Sequence, residues 1–118
     1  MKTIGIVGSR RRDEFTDNVK CLNAVKELYQ KDDRFVSGGC PKGADRFAES
    51  IAKRYGATIT IHYPDWDSYG NTAALERNTL IARDCDVLIA VVAPDGKGGT
   101  EDTIRKATKM GKQIVLVE

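Results

Sequence analysis

The chain has 118 residues, and at roughly 100–200 residues per domain this predicts a single domain over 1–118. An apolar fraction of 41% with 31% charged residues excludes a disordered chain, and a net charge of +2 is too slight to point to a nucleic acid or an anionic membrane. No apolar run nears the roughly 20 residues of a membrane helix, and the N-terminus lacks the basic-then-apolar order of a signal peptide, so a cytoplasmic protein is expected.

Thr3 to Val7 is a short run rich in β-branched residues that ends at Gly8, as a strand ends at a turn. Phe15, Val19, Leu22, Val25 and Leu28 follow at spacings of three and four, the stripe of an amphipathic helix. Arg34 to Ser37 predicts a second strand, closed by Gly38 and Gly39. Phe47, Ala48, Ile51, Ala52 and Tyr55 form a second helical stripe, with Gly56 placed for a left-handed cap. Ala57 to His62 predicts a third strand, stopped by Pro64. Asn71 or Thr72 caps a third helix that runs to about Asp84.

Asp86 to Ala93 predicts a fourth strand whose centre is apolar throughout, the mark of a strand buried on both faces. The last helix starts near Thr100, with Glu101 and Asp102 in its first turn and Arg105, Lys106 and Lys109 later. That charge order suits the helix dipole. Gly111 ends this helix, and Gln113 to Val117 is a final strand. Strands alternating with helices predict an α/β fold: a three-layer Rossmann-like domain, with a parallel sheet of about five strands and helices on both faces.

The three cysteines, Cys21, Cys40 and Cys85, have no Cys-x-x-Cys pairing and read as free thiols of a reducing compartment. No metal site is expected, and no resident cofactor. In a parallel sheet, ligands bind beyond the carboxyl ends of the strands. Three glycine-bearing segments fall there: Gly8-Ser9-Arg10, the run from Ser37 through Gly38 and Gly39 to Gly43, and the run from Pro94 to Gly98, Gly99 and Thr100. Glycine admits an anion close to the backbone, and free N–H groups at a helix start donate to it. With Arg10 and Lys97 beside them, these loops predict a phosphate-bearing ligand.

Two familiar phosphate motifs do not fit. Gly38 to Gly43 has Walker A spacing, but Ala44-Asp45 follows where Lys-Ser/Thr is required. The first loop lacks the G-x-G-x-x-G turn. Asp45 reads either as a first-turn carboxylate favoured by the dipole or as an acceptor for ribose hydroxyls. Asn78 shares an apolar helical face with Ala74, Ile81, Ala82 and Cys85, so its amide needs a partner in a neighbouring loop or a ligand. Arg77 has a phosphate as its sharpest option. Trp66 either covers a base or packs the rim. His62 reads as structural. Arg10, Arg11 and Arg12, followed by Asp13 and Glu14, form a local basic knot.

In this order, Gly8-Ser9-Arg10, Ser37-Gly38-Gly39 through Gly43-Ala44-Asp45 to Ala48, Pro64…Trp66, Arg77-Asn78 and Gly99-Thr100 resemble the SLOG superfamily. That superfamily is named for the DNA-processing protein A (Smf) and LOG families. The closest likeness is to its small stand-alone YspA-like branch, and it covers nearly the whole chain. The resemblance implies a Rossmann-like fold and a nucleotide-derived ligand: a nucleotide, an ADP-ribose or NAD derivative, or a cyclic nucleotide signal. It implies a sensor, carrier or sequestering sponge, some relatives acting in conflict between phages and bacteria.

The LOG enzymes imply an alternative, a nucleotide phosphoribohydrolase that cleaves the N-glycosidic bond of nucleoside monophosphates. For it the candidate catalytic residues are Arg77, which matches the family's arginine, with Glu101 and Asp45. Their signature Pro-Gly-Gly-x-Gly-Thr-x-x-Glu is one residue longer here, and Thr103 stands in place of the glutamate. Glu101 and Asp102 precede that position and point about 200° or 100° away around the helix. Ligand binding without turnover is therefore the favoured expectation. The near-neutral charge and an aromatic content of only 7% argue against single-strand nucleic-acid binding. A homodimer or higher oligomer is expected, because a small open sheet leaves apolar helix surface to cover.

Overall fold

A computed structural model describes residues 1–96 and 98–118. Lys97, which the sequence sets beside the glycine loops, lies outside the described residues. Five strands, β1 (Thr3–Gly8), β2 (Arg34–Ser37), β3 (Ile59–Ile61), β4 (Val87–Val91) and β5 (Gln113–Val117), form one sheet in the order β3-β2-β1-β4-β5. Every pairing is parallel. Between them run α1 (Phe15–Leu28), α2 (Ala44–Tyr55), the single turn α3 (Trp66–Tyr69), α4 (Ala73–Asp84) and α5 (Gly99–Lys109). This is the α/β Rossmann-like architecture that the alternating pattern predicts.

The two faces of the sheet are filled by alternate residues of each strand. Ile4, Ile6, Phe35, Val87, Ile89 and Val91 pack with Cys21 and Val25 of α1 and with Ala44, Phe47, Ala48 and Ile51 of α2. Val7, Val36, Leu88 and Ala90 pack on the opposite face with Ile81 and Ala82 of α4 and Ala107 of α5. All five residues of β4 are buried, as a central parallel strand requires. Each fully buried Ile or Phe contributes roughly 1.5–3 kcal/mol of burial free energy. No helix among the described residues is long and apolar enough to cross a membrane.

Three local features depart from the sequence reading. The expected stripe of α1 is only half buried: Val25 is in the core, but Phe15 is 79% exposed and Val19 38%. The cause is polar. Asp17 faces inward, where Arg12 Nε donates to its Oδ1 at 2.7 Å and the Glu14 N–H donates to its Oδ2 at 3.1 Å. Phe15, about 200° from Asp17 around the helix, is thereby turned to solvent. The third strand is shorter than Ala57 to His62, because the Ala57 N–H closes the end of α2 on Ala52 O (2.9 Å). The segment after the third strand that carries Pro64, Trp66 and Tyr69 contains a helical turn, started by Asp65, whose side chain accepts from Ser68 N–H at 3.1 Å.

The start of β1 is fastened by a buried carboxylate. Asp33, 3% exposed, accepts from the N–H groups of Lys2 and Gln30, both at 2.9 Å, and from Lys2 Nζ. Burial works against its ionisation, but these donors outweigh it and hold the carboxyl below its ordinary range. A depressed folded pKa contributes stability that is present above the unfolded value and lost as pH falls through the folded one. We therefore expect Asp33→Ala to lower the unfolding free energy at neutral pH by about 1–2 kcal/mol, since it removes the buried acceptor of two part-buried N–H groups and of the Lys2 ammonium. Urea titrations of both chains check this. The difference should narrow as pH falls below about 4, where the unfolded carboxyl takes up its proton. Equal midpoints at neutral pH would contradict the assignment.

Candidate functional site

The strand order reverses between β1 and β4, so the crevice of a doubly wound sheet opens beyond their carboxyl ends. A cavity of about 430 Å³ lies there. It is walled by the β1 loop (Gly8, Ser9, Arg10, Arg11), by Cys40 and Asp45, by Ala74, Arg77, Asn78 and Ile81 of α4, and by Gly98, Gly99, Thr100 and Thr103 at the start of α5. Of the residues singled out in the sequence, it brings together Gly8, Ser9, Arg10, Asp45, Arg77, Asn78, Gly98, Gly99 and Thr100. Ser37, Gly38, Gly39, Gly43, Glu101 and Trp66 do not line it. Trp66 is 57% exposed on α3.

The glycines divide into two kinds. A β-carbon at Gly8 would lie 2.6 Å from that of Ala44, and one at Gly43, where φ is +77°, would lie 2.6 Å from Ser9 O. One at Gly38 would meet Arg77 Nη1 at 2.7 Å and Asp45 Oδ2 at 2.9 Å, and one at Gly39 would meet the Tyr63 ring at 2.6 Å. These four are small because the protein packs against itself. Gly99 is different: a β-carbon there meets nothing within 4 Å, and its φ is ordinary. No packing demand accounts for glycine at that point, and it lines the cavity. As the first residue of α5, it belongs to the turn whose N–H groups have no acceptor inside the helix.

The basic knot splits into three roles. Arg10 is exposed and lines the cavity. Arg11 lines it too, and its two terminal nitrogens donate to the Asp95 carboxylate at 2.8 Å each, linking the β1 and β4 loops. Arg12 is structural: besides Asp17, it donates to Val92 O at 2.7 Å and to Glu118 O at 3.1 Å.

On α4, Arg77 Nε donates to Asn78 Oδ1 at 2.9 Å and Nη1 donates to Gly38 O at 2.6 Å. The Asn78 amide donates to Gly99 O (3.3 Å) and to Asp102 Oδ2 (3.2 Å). It thus ties α4 to the start of α5, the neighbouring-loop partner that its place on an apolar face requires. His62 also has a partner, with Nε2 2.6 Å from Asp84 Oδ2, and does not line the cavity.

Asp45 is the one carboxylate among the described lining residues and is only 6% exposed. Its Oδ2 accepts from Cys40 N–H at 3.0 Å. Ser37 Oγ lies 3.3 Å from its Oδ1 but gives its single proton to Ile6 O at 2.6 Å. Burial pushes the Asp45 carboxyl above the usual carboxylate range; the Cys40 N–H and the charge of Arg77 offset this only in part. Thr103, in the place of the LOG glutamate, is buried in the cavity wall with 1% exposure. Asp102 is turned to Lys106, at 2.9 Å, and to Asn78.

Cys40, Arg11, Ile81 and Thr103 line the cavity although none was singled out as a binding residue. Ile81 shares the apolar face that marked Asn78, and Arg11 belongs to the basic knot. These signals give a location but no role.

No family model matches this chain, and no curated protein sequence does. Solved structures do. The molybdenum cofactor binding protein of the phototrophic bacterium Rippkaea orientalis superposes with a TM-score of 0.76 at 20% identity, over 98% of this chain and 75% of that one. The molybdenum cofactor carrier protein of Chlamydomonas reinhardtii gives 0.75 at 24% identity over the same shares. DNA processing protein A of Helicobacter pylori, described for its single-stranded DNA binding mode, gives 0.70 at 20% identity, over 98% of this chain and 64% of that one. These superpositions show that the chain shares its α/β fold with these proteins. The cavity at the β1–β4 reversal gathers part of the motif set read in the sequence: Gly8-Ser9-Arg10, Asp45, Arg77-Asn78 and Gly99-Thr100.

The two kinds of glycine give a direct check. In Gly99→Ala the new methyl meets nothing within 4 Å, so we expect a stability change within about 1 kcal/mol. In Gly43→Ala it meets the Ser9 backbone at a left-handed φ, and we expect a loss of about 2 kcal/mol or more. Paired chemical denaturation measures both. Equal losses would contradict this account of the loops.

Proposed function

We propose that this chain binds and retains, without converting, a small molecule that joins a flat heterocycle to a phosphate. A nucleotide-derived ligand is the reading that the loops support. The molybdenum cofactor, a pterin carrying a phosphate ester, has the same two parts, and two structural neighbours are named for binding or carrying it. The observation that carries the proposal is the polarity of one cavity. Ser9, Arg10, Arg11 and the opening turn of α5 line it together with Asp45, the one carboxylate among the described lining residues, which accepts from Cys40 N–H.

A phosphate at the opening turn of α5 is stabilised by three effects acting together. The first-turn N–H groups of α5 donate to it, the helix dipole favours its charge, and a guanidinium supplies a charge-assisted bond. At Gly99 the absent side chain leaves the approach open. The neutral wall formed by Ala74 and Ile81 suits a flat ring. The volume of about 430 Å³ lies in the usual range of small-molecule pockets.

Retention is favoured over cleavage because of Thr103. Breaking an N-glycosidic bond builds positive charge on the sugar, and a placed carboxylate stabilises it. The α5 wall presents a hydroxyl there, and Asp102 is engaged by Lys106. Retention without turnover fits a carrier, a sensor or a sequestering protein. Phe15 and Val19, one turn apart and exposed on α1, offer apolar surface for association of copies. The free thiols, with Cys21 and Cys85 buried, suit a reducing cytoplasm.

Calorimetric titration tests the phosphate end. We expect a nucleoside monophosphate to bind at least about tenfold more tightly than its nucleoside, the worth of one charge-assisted contact. Gly99→Val should weaken the monophosphate by about tenfold or more while leaving the thermal midpoint unchanged, since nothing lies within 4 Å of the new β-carbon. Equal binding of nucleoside and monophosphate would overturn the proposal.

A further inference from the structure

The single carboxylate in a cavity otherwise suited to an anion requires its own account. A phosphate gives Asp45 nothing, because two acceptors repel. Whatever part of the ligand reaches Asp45 must bring N–H or O–H donors. Beside it, Arg77 keeps capacity of the opposite kind. Its Nε and Nη1 are engaged by Asn78 and Gly38, while Nη2 makes no hydrogen bond among the described residues. The space that a β-carbon at Gly38 would enter is bordered by Arg77 Nη1 at 2.7 Å and Asp45 Oδ2 at 2.9 Å. The Asp45 acceptor and the Arg77 donor group are thus neighbours, and both residues line the cavity.

We propose that Asp45 and Arg77 together read the edge of a 2-amino-4-oxopyrimidine ring, the edge that guanine and pterins share. This rests on the binding function proposed above and names the heterocycle that the site takes. The ring N–H and the exocyclic amino group donate to the Asp45 carboxylate, and the ring carbonyl accepts from Arg77 Nη2. Each carboxylate oxygen has two lone pairs, so the bond from Cys40 N–H leaves Asp45 room for both donors. Adenine is rejected by the same geometry. Its ring nitrogen at that position is an acceptor and meets the carboxylate lone pairs, and it presents no carbonyl to the arginine. The buried carboxyl, destabilised as an anion by its surroundings, regains in the complex the donors that burial denies it.

The test is a binding series with GMP, AMP, XMP, 2′-deoxyguanosine monophosphate and neopterin monophosphate, on the parent chain and on Asp45→Asn. For the parent we expect GMP, its deoxy form and neopterin monophosphate to bind about tenfold or more tightly than AMP and XMP. Tight neopterin with weak GMP still supports the shared edge and identifies the pterin as the source. In Asp45→Asn an amide N–H₂ replaces an acceptor. GMP then weakens while XMP, whose carbonyl stands where guanine has its amino group, strengthens, and the order of the two inverts. A merely structural role for Asp45 would lower all ligands alike.

AMP and GMP binding equally well to the parent would overturn this inference and leave the binding function standing. Loss of GMP only on removal of its 2′-hydroxyl would assign Asp45 to the ribose instead. Failure of all five ligands would overturn both. If Asp45→Asn does not fold, the parent series alone decides.

Discussion

The closeness with which α2 approaches the end of β1 governs the whole carboxyl edge of the sheet. A β-carbon at Gly8 would overlap Ala44, and one at Gly43 would overlap the carbonyl of Ser9. With both side chains absent, the β1 loop lies directly on the first turn of α2. Asp13 fastens the contact by accepting from Gly43 N–H at 2.7 Å and from Arg46 Nη2 at 2.8 Å. This contact places Asp45 below the loop and sets the Ser37–Cys40 backbone against Arg77. Moved apart by even a methyl group, the two elements would no longer enclose a cavity between β1, α4 and α5.

Electrostatics then sort the residues that packing has brought together. Three consecutive arginines leave the β1 loop in three directions: Arg10 lines the cavity, Arg11 bridges to Asp95, and Arg12 ties the loop to α1 and to the carbonyls after β4 and β5. Carboxylates near the cavity are mostly turned to cations of their own, as Asp102 is to Lys106 and Asp17 to Arg12. Asp45 is the exception among the described lining residues, and burial sets it apart in ionisation as well as in position. Cations, the opening turn of α5 and one buried carboxylate line the same cavity, and the proposed ligand, with an anionic part and a donor-bearing ring, uses each of them.

Much of this was legible in the sequence, for reasons that follow from the fold class. The all-apolar run in β4 and the alternation of short β-branched runs with helical stripes specify a parallel sheet, and the parallel sheet specifies where a ligand sits. The first loop and Arg77-Asn78 were found because glycines and an amide on an apolar face are conspicuous. Two things were not legible. Hydrophobic spacing put Phe15 and Val19 inside, but the pair Arg12–Asp17 is a polar buried contact that periodicity does not register. Nor does a run of glycines say which of them serve packing and which leave room for a ligand. Gly43 and Gly99 look alike in one dimension; only the neighbours within 4 Å separate them.

The central claim is that the cavity keeps its ligand whole. The direct measurement is to incubate the purified chain with nucleoside monophosphates and a pterin phosphate, remove unbound material, denature the protein by heat and identify the released molecules by mass. The account predicts an intact phosphate-bearing heterocycle in stoichiometric amount. Recovery of a free base with a ribose phosphate would contradict it, and would show that turnover proceeds in a cavity where Thr103 stands in place of a carboxylate.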